Sequence, residues 1–164
     1  MNDIERRLDR LESIEEIKRL KAHYAECADG KYTDDHRKKP EAERDAVARL
    51  QAACFTEDGE FSAGSFGHVR GREALFENFR DKPFRFAMHL YMNPLIEVDG
   101  DTGTGRWAHW LLATDYATDK PMHMCSYTLD EYRRVDGRWL FAKVEVASKF
   151  MVAFNEPFSS GKPA

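Results

Sequence analysis

The change of hydrophobic period at Pro83 is the feature that most constrains the fold of this chain. Before Pro83, apolar residues recur at three- and four-residue steps, which is the spacing of helices that bury one face. After Pro83 they alternate along extended segments, and Asp99-Gly100 and Asp136-Gly137 are typical of hairpin turns between such segments. Because helices come first and a meander of strands follows, the sequence predicts an α+β domain.

The helical half is predicted to contain one long helix and two shorter ones. After a charged helical segment over 3–11, Ser13 and Glu16 match a capping box that would start the main helix, and Gly30 would end it after Asp29. A second helix is predicted over 41–55 and a third over 72–80. The residues predicted to face inward from these two helices are Val47, Leu50, Cys54, Leu75, Phe76 and Phe79. Between them, Glu57-Asp58-Gly59 predicts a turn into a short strand.

The predicted sheet is antiparallel, and two of its strands are apolar on both faces. The strands are predicted over 84–92 with a continuation over 95–98, and over 104–114, 122–135 and 138–150. An antiparallel sheet usually leaves one face in water. We therefore expect one face to pack on the helices around a pocket and the other to pack against a second copy of the chain, in a homo-oligomer.

Length and composition are those of an ordinary globular domain. The chain of 164 residues is predicted to form a single domain over 1–164, with 151–164 as a partly ordered tail. Its net charge of −4 provides no basic field for nucleic acid. No apolar stretch approaches the length of a membrane span, and the charged start MNDIERRLDRLE is unlike a signal peptide, so we expect a cytoplasmic protein.

Cysteine and histidine spacing gives no metal or disulfide pattern. Cys27, Cys54 and Cys125 form no CxxC pair, so we expect them to be reduced and to pack as small apolar side chains. The six histidines show neither HxH nor HExxH spacing. We therefore expect no metal ion.

Tyr24 and Asp29 in the main helix are the first candidates for chemistry. Tyr24 lies on the apolar stripe with Ile17 and Leu20, so its hydroxyl enters the interior and needs a hydrogen-bond partner. Asp29 brings a carboxylate to the end of the same helix, and His89 from a strand could complete an acid/base set. The structural alternative for the first two residues is a core tyrosine and a helix-end aspartate.

The order of elements and several phrases resemble the SnoaL-like branch of the NTF2-like superfamily. The phrases are IEEIKRLKAHYAECADGK, CFTEDGEF, FGHVRGREALFENF, MHLYMNPLIEVDGDTGTGRW and DEYRRVDGRW. They occur in the order of the family and span residues 13 to 147. The resemblance implies a cone-shaped fold in which three helices pack on a strongly curved antiparallel sheet that encloses a pocket. It also implies a homo-oligomer that is a trimer or a dimer.

Within this branch the chain is similar to the bile-acid 7α-dehydratases and, more distantly, to the scytalone dehydratases. The resemblance implies catalytic roles for Tyr24, Asp29 and His89, with His109 as a second histidine. The bile-acid enzymes also have a strand aspartate and a final-strand arginine. Here Leu111 stands near the first position and Ser148 near the second, which indicates a different substrate.

The predicted reaction is a cofactor-independent elimination. His89 is the base, Asp29 orients it, Tyr24 donates to the oxygen that gains charge, and His109 is a second acid or base. The product is formed by loss of water, or by carbon-carbon cleavage that releases a small aldehyde, as in the diarylpropane deformylation that the branch includes. The alternatives are a noncatalytic protein that binds an apolar ligand, and an isomerase or cyclase with the same residues.

Aromatic side chains predict a bulky hydroxylated aromatic or polycyclic substrate, from the catabolism of aromatic compounds. The candidate substrate-binding residues are Phe61, Phe66, Tyr91, Trp107, Leu111, His123, Tyr127 and Phe150. Met88, Met122 and Met124 were further candidates for this lining, whereas Arg106 is predicted to lie at the surface or an interface, and His23 outside the pocket. The structural alternative for any one aromatic residue is ordinary core packing.

Overall fold

A computed structural model describes residues 2–154, apart from the side chain of residue 65. The helices are α1 (Asp3–Asp29), α2 (Glu41–Ala53) and α3 (Arg72–Arg80). The strands are β1 (Phe55–Ser62), β2 (His68–Arg70), β3 (Phe84–Asp99), β4 (Thr102–Asp115), β5 (Pro121–Val135) and β6 (Arg138–Ala153). The sheet has six strands in the order β2-β1-β6-β5-β4-β3 and is curved and unclosed, with the helices packed on it. The predicted α+β class is confirmed.

Helix α1 is a single helix of 27 residues, so the predicted start at Ser13 is wrong. The capping box is formed by Asn2 and Glu5 instead, with the Glu5 amide donating to Asn2 Oδ1 at 2.9 Å. Ser13 lies inside the helix, where its hydroxyl donates to the Asp9 carbonyl at 2.6 Å. A serine in this position is satisfied within the helix and does not start a new one.

Gly30 ends α1 as predicted, but the glycine is needed for close packing and not for a left-handed backbone conformation. Its φ of −61° is helical, so no left-handed conformation is needed. A Cβ at Gly30 would lie 3.3 Å from Cγ1 of Val47 and 2.9 Å from the Glu26 carbonyl oxygen. The glycine therefore allows the end of α1 to approach α2 closely.

Helices α2 and α3 differ in how well the sequence pattern predicted their buried faces. In α3, Leu75, Phe76 and Phe79 are buried as predicted. In α2 the buried residues are Ala48, Gln51 and Ala52, whereas Leu50 is 54% exposed. The predicted inward position of Leu50 is wrong because small side chains, and not the large apolar one, face the sheet.

Strand β1 contains two departures from the prediction. Glu57-Asp58-Gly59 lies inside β1, where the pairing shifts between Phe55 and Glu60, and does not form a turn. β1 pairs in parallel with β6, so the sheet is mixed rather than wholly antiparallel. The following segment over 64–70 holds a short 3-10 turn and strand β2.

The four long strands form the predicted meander. β3, β4 and β5 pair in antiparallel order, and β6 pairs with β5 in the same way. The segments predicted over 84–92 and 95–98 are one strand, which has a pairing irregularity between Met92 and Leu95. Residues 151–153 extend β6, while the rest of the predicted tail after Phe154 lies outside the described residues.

The two faces of the long strands have different surroundings. The concave face packs on the helices. Exposed on the other face are Met88, Trp110 and Phe150, with between 38% and 47% of their surface accessible. Contact between this second face and another subunit stays a prediction. None of the helices in residues 2–154 is long and apolar enough to cross a membrane.

A buried ion pair ties α1 to the middle of the sheet. The Lys21 ammonium lies 2.7 Å from Oδ2 of Asp130 and 3.0 Å from Oγ1 of Thr128, and the Lys21 and Asp130 side chains are 1% and 0% exposed. The Tyr132 hydroxyl also donates to Asp130 Oδ2, at 2.7 Å. Removing one member of such a pair leaves the other as an uncompensated buried charge.

We expect Lys21→Met to lower the free energy of unfolding by about 3 kcal/mol, because Asp130 would lose its counter-charge in the interior. Urea denaturation monitored by circular dichroism measures this change. Lys18→Met is the control, since Lys18 pairs with Glu15 on the exposed side of the same helix, and its effect should stay below about 1 kcal/mol. Equal losses in the two variants would contradict a stabilising role for the buried pair.

Candidate active site

Asp29 and His89 form the centre of the site. The Asp29 carboxylate lies at the last residue of α1, and its Oδ1 is 2.7 Å from Nδ1 of His89. The same carboxylate accepts the His89 backbone N–H, at 3.0 Å to Oδ1 and 3.2 Å to Oδ2. His89 lies on β3, the terminal strand of the sheet, so this N–H points away from β4 and needs a partner from elsewhere. The carboxylate therefore fixes both the backbone and the ring of His89.

This arrangement sets the tautomer of His89. An ionised carboxylate can only accept hydrogen bonds, so Nδ1 carries the hydrogen and Nε2 keeps its lone pair. A neutral imidazole held in this way can take a proton at Nε2, and the carboxylate then stabilises the resulting cation. The predicted meeting of a helix-end carboxylate with a strand histidine is present in the structure.

His109 lies beside His89 and is kept neutral. The two rings stack with centroids 5.8 Å apart, and Tyr91 stacks on His109 at 4.6 Å. Nδ1 of His109 is 2.7 Å from the Ser126 hydroxyl, while its buried Nε2 has no partner among the described residues. Burial, and then the charges of His89 and Lys21, lower the pKa of His109 to about 2. His109 is thus a neutral hydrogen-bonding group at neutral pH. It was predicted to be a second acid or base, and this pKa means that it cannot supply a proton as an imidazolium.

Tyr24 is buried, and its hydroxyl is joined to Gln51. Burial raises the pKa of Tyr24 above its ordinary range, so the phenol stays protonated, while the hydrogen bond with Gln51 acts in the opposite direction. The Lys31 ammonium, which can only donate, lies 2.9 Å from Oε1 of Gln51. Gln51 thus lies between the Lys31 ammonium and the Tyr24 hydroxyl.

Tyr24, His89 and His109 line one cavity between the helices and the concave face of the sheet, which we call the helix–sheet cavity. The space among its lining residues that is free of protein atoms is about 580 Å³, and this value includes open solvent. Phe66 and Val146, which contact both apolar clusters of the core, are part of its wall. Four of the eight predicted substrate-binding residues line it, and they are Phe61, Phe66, Tyr91 and Leu111. Of the methionine candidates, only Met124 does so.

Trp107 belongs to a structural network beside the helix–sheet cavity. Its indole N–H donates to the Tyr132 hydroxyl at 2.9 Å, and Tyr132 in turn donates to Asp130. The ring is 5% exposed and lies on the inner face of the sheet. It lines a second, more open depression together with Lys21, Asp29 and His89. Trp107 is not part of the lining of the helix–sheet cavity, and its contact with a substrate stays a prediction.

His123, Tyr127 and Phe150 lie on the opposite face of the sheet, so their predicted place in the pocket is wrong as well. The reason is the register of β4 against β5. Leu111, which faces the cavity, pairs with Met124, and His109 pairs with Ser126. Even-numbered residues of this part of β5 consequently face inward, and odd-numbered residues face outward.

The outward residues contact one another. Trp110 donates to Nδ1 of His123 at 3.0 Å, and the rings of Phe150 and Phe154 pack on His123. The Arg106 guanidinium lies 3.7 Å from the ring centroid of Tyr127, on the exposed face that was predicted for it. The exposed His23 lies outside the helix–sheet cavity, as expected.

Sequence reasoning missed two lysines in the helix–sheet cavity. Lys31 directly follows Gly30, and Lys82 lies between α3 and β3. Burial lowers the pKa of Lys31 to about 7, with a further contribution from the charge of Lys82, and burial lowers the pKa of Lys82 to about 8. Nothing in their spacing distinguishes them from the other lysines of a highly charged chain.

Cysteine and metal chemistry have little support in this part of the molecule. Burial raises the pKa of the Cys54 thiol to about 12 and raises that of Cys27, so neither thiol is ionised at neutral pH. Within residues 2–154, no three side chains of the His, Cys, Asp and Glu type lie close enough together to hold a metal ion. The functional groups in and beside the helix–sheet cavity are imidazole, carboxylate, phenol and amine groups.

Comparison with known proteins identifies the family. The sequence pattern of the SnoaL-like domain matches residues 44–145, more than half of the 164-residue chain. The chain belongs to the SnoaL-like family, which confirms the resemblance described above.

Solved structures confirm the NTF2-like fold. A hexachlorocyclohexane dehydrochlorinase, LinA type 2, superposes with a TM-score of 0.74 at 20% identity, over 90% of this chain and 92% of its own. A candidate scytalone dehydratase from Novosphingobium aromaticivorans gives 0.72 at 19% identity, over 93% and 97%. A substituted form of Rv3472, a protein of unknown function from Mycobacterium tuberculosis, gives 0.65 at 28% identity, over 84% and 76%. At these identities the dehydrochlorinase and the dehydratase are similar to this chain in fold.

The depressed pKa of His109 predicts a pH-dependent contribution to stability. Unfolding restores the ordinary pKa of 6.5, so between about pH 6.5 and 2 the unfolded chain binds a proton that the folded chain does not. This contribution is complete above pH 6.5 and is lost as the pH falls, by about 1.4 kcal/mol per pH unit. Relative to His109→Gln, the wild-type protein should lose about 2 kcal/mol between pH 7 and pH 5.

Urea titrations of both proteins across this pH range measure the difference. Every other titrating group is common to the two chains, so the comparison isolates His109. A difference in unfolding free energy that is constant with pH would contradict a neutral, buried His109.

Proposed function

We propose that this protein is a cofactor-independent lyase that acts on a bulky hydroxylated aromatic or polycyclic small molecule by general acid/base elimination. The observation that carries the proposal is the hydrogen bond from His89 Nδ1 to Asp29, which leaves Nε2 as a base at the wall of the helix–sheet cavity. The elimination reactions named for LinA and for the scytalone dehydratase, on the same fold, support this class of reaction.

In the dehydration, His89 Nε2 removes an acidic proton from the carbon next to a carbonyl group. The electron pair of that C–H bond forms the new double bond as the hydroxyl group on the next carbon leaves. Asp29 stabilises the imidazolium that has formed, and the imidazolium returns its proton to the departing oxygen, which leaves as water. The proton and electron count is then balanced, and no other reagent is consumed.

Tyr24 and His109 act on the charge that develops. The Tyr24 O–H, which stays protonated because burial raises the pKa of the phenol, donates to the substrate oxygen that becomes negative in the transition state. Neutral His109 provides one further hydrogen-bonding nitrogen in the same wall. Because these groups are buried, their dipoles act in a medium that screens charge weakly.

The same base supports carbon-carbon cleavage. If His89 takes a hydroxyl proton, the resulting alkoxide electrons form a carbonyl group, the adjacent carbon-carbon bond breaks, and a small aldehyde leaves. The other fragment gains a proton from the imidazolium. An aromatic substrate fits the lining, which includes Phe61, Phe66 and Phe79.

We expect His89→Ala to lower turnover by about 100-fold to 10,000-fold, which is the usual contribution of a positioned base. Tyr24→Phe removes one donor to the developing negative charge and should lower turnover by about 100-fold to 1,000-fold. Asp29→Asn should lower turnover by a similar factor, since its amide cannot stabilise the imidazolium. The assay incubates the protein with a panel of β-hydroxy ketones, hydroxylated polycyclic compounds and diarylpropane diols. Mass spectrometry follows loss of water or of formaldehyde.

His23→Ala is the matched control, because His23 is exposed and outside the cavity, and its turnover should equal that of the wild-type protein. Circular dichroism and the urea midpoint establish that each variant is folded. Unchanged turnover in folded His89→Ala would remove the proposal. Retention of an apolar ligand without any product would favour the noncatalytic alternative, and a product of unchanged mass would favour an isomerase or cyclase.

A further inference from the structure

Lys31 and Lys82 place two amino groups in the wall of the helix–sheet cavity, the wall to which His89 and His109 also belong. Lys31 is 5% exposed. The charge of Lys82 contributes to the lowered pKa of Lys31, which agrees with the place of both residues in the lining of one cavity.

Both amino groups are held by uncharged acceptors. Lys31 Nζ donates to Gln51 Oε1 and to the Phe79 carbonyl, each at 2.9 Å. Lys82 Nζ donates to Asn78 Oδ1 at 2.6 Å and to the Phe66 carbonyl at 2.9 Å. An ammonium group has three N–H donors, so each lysine keeps one donor that these contacts do not use.

Neither lysine has an acidic partner in the part of the chain that the structure describes. No carboxylate of residues 2–154 lies within ion-pair distance of Lys31 or Lys82. Their surroundings are aromatic, with the Phe61 ring 5.5 Å and the Phe79 ring 6.0 Å from Lys82 Nζ. Two neighbouring cations in such a setting repel each other and have lost much of their hydration.

Lys21 on the same helix provides the internal comparison. Lys21 is buried, as Lys31 is, but a carboxylate lies 2.7 Å from its amino group and compensates its charge. Lys21 is therefore a structural lysine. Within residues 2–154 no carboxylate lies at ion-pair distance from Lys31 or from the partly buried Lys82, and the charge of Asp29 raises the pKa of Lys31 only from further away. A closer negative charge could be supplied by a ligand in the cavity that both lysines line.

We propose that Lys31 and Lys82 form an anion subsite that binds the carboxylate or phenolate oxygen of an aromatic ligand in the helix–sheet cavity. Each lysine donates its remaining N–H to the anionic oxygen, and the surrounding phenylalanine rings contact the ring of the ligand. The identification of this ligand with the substrate rests on the proposed function, whereas the binding itself does not.

Gln51 connects the subsite to the proposed chemistry. Its side-chain oxygen accepts from Lys31, and its side chain also forms a hydrogen bond with Tyr24. Only the Gln51 side chain thus lies between Lys31, which would bind the anion, and the Tyr24 phenol, which would donate to the reacting oxygen. This connection places the anionic group of the substrate beside Tyr24 rather than beside Asp29, which carries a charge of the same sign.

The test measures binding in the folded His89→Ala variant, in which catalysis is removed and only the subsite is examined. The probes are benzoate and 4-nitrophenolate, with benzamide and nitrobenzene as their uncharged counterparts, in isothermal titration calorimetry. We expect at least one anion to bind about tenfold or more tightly than its uncharged counterpart. The anion that does so identifies the carboxylate or the phenolate as the preferred group.

Lys31→Met and Lys82→Met in the same background should each weaken binding of that anion by about tenfold. Lys38→Met is the matched control and should leave it unchanged, because the Lys38 amino group pairs with Asp81 and is outside the cavity lining. If a methionine variant fails to fold, binding is followed instead by NMR in the His89→Ala protein that keeps both lysines. The side-chain signals of Lys31 and Lys82 should both shift when the anion is added.

Equal affinity for charged and uncharged probes, or anion binding that neither lysine affects, would overturn the subsite. These outcomes are separate from those of the turnover assay. Lysine-dependent binding without turnover of any compound in the panel would reject the lyase proposal and keep the subsite. Turnover without lysine-dependent binding would reject the subsite and keep the lyase proposal.

Discussion

The buried ion pair between Lys21 and Asp130 is the interaction on which the rest of the structure depends. It fixes the middle of α1 against β5 and leaves little freedom for the helix to slide or rotate over the sheet. Arg134 fixes the N-terminal part of the same helix, through Asp9 at 3.0 Å and Ser13 at 2.7 Å. With two points of α1 fixed, the position of its last residue follows, and that residue is Asp29.

The geometry of the base is therefore a property of the whole fold. Asp29 meets an unpaired backbone N–H of the terminal strand and, from the same position, the ring of His89. A hydrogen bond that β3 needs in any case also holds the imidazole in one tautomer. The Asp29 carboxylate therefore has a structural role, because it satisfies the β3 backbone, and also orients the His89 ring. Both residues are positioned by a long helix and a long strand and not by a loop.

Local patterns predicted α3 and the hairpins, because each depends on spacing over a short stretch of chain. The meeting of Asp29 with His89 joins a helix to a distant strand, and it was expected from the family resemblance together with the helix pattern. Side-chain direction in β5 depends on its register with β4, which no single strand specifies, and His123 was assigned to the wrong face for that reason. Lys31 and Lys82 were missed because lysines that line an apolar cavity without an acidic partner are contrary to what composition and pattern lead one to expect.

The distribution of charge in the helix–sheet cavity restricts how a substrate can lie in it. The uncompensated positive charge belongs to Lys31 and Lys82, whereas the carboxylate of Asp29 is already engaged by His89. In the proposed binding mode, an anionic group would be attracted to the lysines and repelled from Asp29, so the rest of the molecule would lie toward the imidazole. Neutral His109 adds no charge that would oppose this orientation. The same arrangement that would bind an aromatic anion would thus present its acidic proton to Nε2 of His89.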